Sequence, residues 1–113
     1  MSIYQQIVKV RDELKITLDE SKALGERWAI LKAQYESTKS RRALEMKEQG
    51  FTASLIELTI KGDADVSQAM MERDIAEVQY KNACEGVNVL KKEFDFLREQ
   101  YQREWTQSGW SDR

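Results

Sequence analysis

The sequence predicts an all-α protein: a long antiparallel helical hairpin with a short connecting helix at its tip. Three observations carry that reading. The 113 residues include no proline, so nothing in the chain is forced to break a helix. Only five glycines are present, too few for the many turns of a sheet fold. Apolar side chains recur at 3-4 spacing along two long stretches, the pattern of helices that each bury one stripe.

The first stretch runs through Ile3, Ile7, Val10, Leu14, Thr17, Ser21, Leu24, Trp28, Leu31 and Tyr35. It is a heptad seam weakened in its middle by Thr17 and Ser21. Lys22 with Glu26, and Lys32 with Glu36, lie four apart as a solvated helix face would place them. Ala43, Leu44 and Met46 continue the helix toward Gly50, whose backbone suits the left-handed stop after a helix. A helix over about 3–49 would be a rod of about 70 Å.

The connector, F-T-A-S-L-I-E-L-T-I-K-G-D, offers Thr52 or Ser54 as an N-cap. Glu57 follows Ser54 at the spacing of a capping box, and Gly62 supplies a stop, so a short helix is expected over about 53–61. Leu55, Ile56, Thr59 and Ile60 include good strand formers and would also suit the tip of a β-hairpin; the capping signals favour the helix. Leu55, Ile56, Leu58 and Ile60 are expected to cover the end of the bundle near Leu44, Met46 and Met70.

The second long helix is expected over about 65–106, with Asp63 and Asp65 at its start. Its seam is Val66, Ala69, Arg73, Ala76, Tyr80, Ala83, Val87, Leu90, Phe94, Leu97 and Tyr101. Periodicity then fails, and residues 107–113, with Gly109 and Trp110, read as a flexible tail. Folding the rods back on each other places residues whose numbers sum to about 115 side by side. Tyr35 would then meet Tyr80, and Leu14 would meet Tyr101. Gly25 and Gly86 would lie nearly level, each at a cost of about 1 kcal/mol relative to alanine unless close approach requires it.

A separate apolar row, Met71, Ile75, Val78, Val89 and Phe96, lies on the far side of the second rod. The first rod carries a weaker one that includes Ile16, Ala23, Ile30 and Leu44. Leaving the five side chains of the second rod in water forgoes roughly 8–15 kcal/mol. A homodimeric bundle of four helices is therefore expected, with Met71, Ile75, Val78, Val89, Phe96, Ile16 and Ile30 at the oligomer interface.

The composition offers little chemistry. There is no histidine, which removes the commonest general base and transition-metal ligand. The acids Asp63, Asp65, Glu72, Asp74 and Glu77 lack the spacing of a calcium loop. The lone Cys84 reads as a small packed residue. Neither a catalytic site nor a metal or cofactor is expected. No apolar run approaches the ~18 residues of a membrane span, and no signal-like segment opens the chain, so the expected compartment is the cytoplasm.

Eighteen basic against 20 acidic residues give a net charge of -2, so any nucleic-acid site would be local. The one basic cluster is Lys39, Arg41, Arg42 and Arg73, with Lys47 nearby. It has two readings: a grip on phosphates near the hairpin tip, or ion pairs with Glu45, Asp74 or Glu77.

The stretches E-Q-G-F-T-A-S-L-I-E-L-T-I-K-G and E-R-D-I-A-E-V-Q-Y-K-N-A-C-E-G-V-N-V-L-K, with the closing Y-Q-R-E-W, cover about residues 48–105. They resemble small helical proteins of tailed phages and prophages. That resemblance implies genes of early replication and recombination regions and carries no catalytic residues over. The functional expectation is a non-enzymatic interaction or adaptor protein, in the host cytoplasm if phage-encoded, that oligomerises and binds a host or phage protein. The alternative is a DNA-binding accessory of phage recombination or replication that uses the basic tip.

Overall fold

The structure is a computed structural model and describes residues 1–107. Three α-helices follow in order: α1 (Ile3–Glu48), α2 (Ala53–Thr59) and α3 (Ala64–Gln107), with a single 3₁₀ turn, Ile60–Gly62, between α2 and α3. No strand occurs among the described residues. The protein is the all-α helical hairpin with a short connecting helix that the sequence implies. Gln107, read as the first residue of a tail, is the last of α3, and the tail beyond it, with Trp110, lies outside the described residues. No helix among the described residues is long and apolar enough to cross a membrane.

The helix ends are set by local chemistry. Ser2 opens α1 with a reciprocal pair: its hydroxyl accepts from the Gln5 N–H at 3.1 Å, and its own N–H donates to the Gln5 side chain at 3.0 Å. This S-I-Y-Q capping box is legible in the sequence and was not part of the expectation. At the other end Gly50 adopts φ +92°, while the Gly50 N–H donates to the Lys47 carbonyl and the Phe51 N–H to that of Met46. That is a Schellman stop, which an L-residue at position 50 would strain.

Thr52 caps α2, its hydroxyl accepting from the Leu55 N–H at 3.3 Å. With Thr52 as cap, Glu57 is too far along to close the box expected with Ser54. Asp63 caps α3, its Oδ2 accepting from the N–H groups of Asp65 and Val66.

The chain forms two compact units. The first, Ala23–Tyr80, contains the turn. Its core is Tyr35, Ile60 and Val66, with Ala43, Met46, Ile56, Ala69 and Met70 packed around it. Every predicted seam position of this unit is buried or half-buried. The connector covers the core less completely than expected: Ile60 is 4% exposed, but Leu58 is 82% exposed and Leu55 is also exposed. A seven-residue helix has one inward face; Ile56 occupies it, and Ile60, the C-cap residue in the 3₁₀ turn that follows, turns inward beside it.

The pairing within this unit also differs from expectation. Arg42 lies beside Asp63, Tyr35 beside Arg73 and Trp28 beside Tyr80, so partner numbers sum to 105–108 rather than 115. Helix α1 continues past the start of α3, and the connector folds back along that extension. Tyr80 therefore meets Trp28, at 5.6 Å between ring centroids, and not Tyr35. Gly25 exists for this ring: a Cβ there would lie 2.8 Å from Tyr80 Cε2. The Nε1 of Trp28 is buried without a hydrogen-bond partner among the described residues.

The second unit joins Met1–Lys22 to the chain from Lys81. Val10, Val87 and Leu97 are its buried apolar residues. The two weak seam positions are satisfied within α1, Thr17 donating to the Glu13 carbonyl and Ser21 to that of Leu18, each at 2.8 Å. Tyr101 meets Tyr4 at 6.4 Å and Trp105 at 6.0 Å, not Leu14. Gly86 faces the Thr17 methyl, 3.8 Å from where a Cβ would sit. Cys84 is half-buried and free.

The two mid-helix glycines should therefore respond oppositely to alanine. Gly86→Ala gains helix propensity and ordinary contact, and is expected to stabilise the protein by up to about 1 kcal/mol. At Gly25 the same gain is opposed by overpacking against Tyr80, typically about 1–3 kcal/mol, so Gly25→Ala is expected to destabilise. Urea unfolding followed by circular dichroism at fixed protein concentration reads both signs.

Candidate interaction surface at the turn end

The charged side chains of the turn-containing unit fall into two groups. The first is a network around Arg42. Its Nε and Nη2 donate to Asp63 Oδ1 at 3.0 and 2.8 Å, and its Nη1 pairs with Glu45. Arg41 holds the other oxygen of Glu45 at 3.1 Å and reaches Asp65 at 3.9 Å. Asp63 is thus used twice, one oxygen capping α3 and the other tied to α1. The Arg42 hydrogen bonds hold its carboxyl below the usual carboxylate range against the opposing effect of burial, and the N–H groups of Val66 and Asp65 lower it further.

Arg73 belongs to the same side-chain economy. Its guanidinium carbon lies 4.2 Å from the centroid of the buried Tyr35 ring, and its Nε donates to Asp74 at 3.0 Å. Lys39 Nζ lies 5.9 Å from the same ring. Tyr35 thus gathers a cation from each long helix. Of the proposed phosphate-gripping residues, Arg41, Arg42 and Arg73 are engaged by carboxylates, and Lys39 sits over an aromatic face. Arg42 and Arg73, level by the expected pairing, have separate partners. Neither the role of Asp63 as an Arg42 partner nor the stacking on Tyr35 was anticipated, because both depend on the register.

The second group lines a groove of about 720 Å³ between α1 and the connector. Leu44 and Ile56 contribute apolar surface, and Lys39, Lys47, Lys61 and Glu57 contribute charge. Neither Lys47 nor Lys61 pairs with an acid among the described residues. On the outer side of α3, Met71, Ile75 and Val78 are exposed and, with Met70 and Asp74, form a patch of apolar surface.

The described residues contain no group of three or more His, Cys, Asp or Glu able to hold a metal ion. Comparison with protein-family models, with curated proteins and with solved structures finds no match. The functional reading therefore rests on these surfaces.

Asp63→Ala removes a cap and an inter-helix tie together, and is expected to cost at least the about 0.5–2 kcal/mol of a lost N-cap. Asp74→Ala, which breaks an exposed pair, should cost less than about 1 kcal/mol. Because folding lowers the Asp63 pKa, its stabilisation is complete above the unfolded value near ~3.9 and is lost as pH falls through the depressed folded value. Urea titrations of both variants and the unmodified protein at neutral and acidic pH should show the Asp63→Ala penalty shrinking on the acid side.

Proposed function

We propose that this chain is a non-enzymatic helical interaction protein of the phage type, acting in the host cytoplasm, which pairs with a second copy of itself and holds a host or phage protein. The observation that supports this reading is the uncovered outer row of α3. Met71, Ile75 and Val78 in the turn-containing unit, and Val89 and Phe96 in the other, keep 49% to 62% of their surface exposed. Ile30 and Leu44 in the first unit and Ile16 in the second are similarly uncovered on α1.

Full burial of such a side chain is worth about 1.5–3 kcal/mol, so five that are half-exposed hold back roughly 4–8 kcal/mol per copy. A two-fold interface counts that gain twice. Against an association cost of about 4–15 kcal/mol, a dimer is within reach and its population depends on concentration.

The nucleic-acid reading has less to stand on. A phosphate grip would need cations that Glu45, Asp63, Asp65 and Asp74 already engage in Arg41, Arg42 and Arg73. Under the interaction reading the protein should not retard DNA even at low salt, where phosphate contacts are strongest.

Sedimentation equilibrium at micromolar concentration is expected to give about twice the 13.2 kDa chain mass. Ile75→Lys and Phe96→Glu should each shift the distribution toward monomer with helicity retained. A monomer throughout, or a dimer indifferent to both substitutions, would count against the reading.

A further inference from the structure

We infer that the lysine-rimmed groove between α1 and the connector receives the acid-flanked apolar ridge of α3 from a second copy of the chain. This rests on the proposal that the protein pairs with itself, and it specifies which surfaces meet.

The argument begins with the charges at the turn end. The three arginines there are held internally by carboxylates, whereas the groove gathers three ammonium groups, from Lys39, Lys47 and Lys61, and one carboxylate, from Glu57. Lys47 and Lys61 pair with no acid among the described residues. Between them lies apolar surface, including Leu44, which is 58% exposed. A groove of this kind suits an apolar segment with acids on its flanks, because desolvated lysine stems pack against the segment while their heads meet its carboxylates.

The chain itself displays such a segment. At about 100° per residue, Met71, Ile75 and Val78 share one stripe of α3, with Asp74 on one side of it and Glu72 on the other. All three apolar side chains are exposed. The ridge brings the Glu72 carboxylate, and that of Asp74, which also pairs with Arg73, to a rim with a net charge of two positive, and the groove of about 720 Å³ leaves room for its side chains. Ridge and groove share no lining residue, so each copy can offer both at once, as a two-fold interface requires. Leu44 also belongs, with Ile30, to the exposed apolar residues of α1 proposed above for self-association.

Reciprocal charge reversal tests the assignment. One variant carries Lys39→Glu with Lys61→Glu, and the other carries Glu72→Lys with Asp74→Lys. Each alone sets like charges across the interface and is expected to weaken self-association about tenfold or more at low salt, less at ~1 M salt, where exposed charges are screened. An equimolar mixture restores opposite charges at both contacts and should sediment as a heterodimer. Circular dichroism checks folding, and Lys61→Glu with Glu72→Lys serves as the milder pair if either double variant unfolds. If the unmodified protein is a monomer, self-pairing itself fails. If it dimerises while both variants also dimerise alone, or the mixture stays monomeric, the groove belongs to another partner and this inference alone is overturned.

Discussion

One carboxylate, that of Asp63, decides how the turn-containing unit is put together. Its Oδ2 takes two of the orphan N–H groups that open α3, and its Oδ1 receives the Arg42 guanidinium from α1. A helix start and a helix-to-helix register are thus fixed at the same atom pair. From that point Arg73 is carried to the face of Tyr35, and Tyr80 to Trp28 and Gly25. Ile60, immediately before this junction, turns inward to complete a core with Tyr35 and Val66.

The seams of both long helices were legible in the sequence because burial of one stripe is the dominant force on a long amphipathic helix. Each seam residue, including the unpromising Thr17, Ser21 and Arg73, is buried or half-buried. Their tolerance has separate causes. The hydroxyls bond back onto their own helix, and Arg73 spreads its guanidinium over an aromatic ring. The helix stop at Gly50 was equally legible, since a left-handed residue is something only glycine supplies cheaply.

Register was not legible. Counting back from a symmetrical turn puts Tyr35 beside Tyr80, but a heptad pattern repeats and looks much the same at several offsets. The true offset depends on how the connector lies against α1. Thr52 and Ser54 are chemically alike as caps; Thr52 is the one used, and Glu57 lines the groove instead of closing a box with Ser54. The basic cluster shows the same limit. That arginines gather near the turn could be read from the chain, whereas their carboxylate partners followed from an offset that could not.

The missing side chain at position 25 has a bearing on misfolding. Two helices with repetitive stripes can slide past each other by seven residues and still bury apolar surface, which is a familiar hazard of long hairpins. Here a slide of that size would withdraw the Tyr80 ring from the one notch in α1 that fits it and press it against Leu18 or Lys32. The glycine therefore acts as a keyway and the tyrosine as its key, so that slipped pairings are rejected by shape as well as by charge. A gap costing helix propensity at one residue thereby helps a monotonous sequence settle on a single alignment.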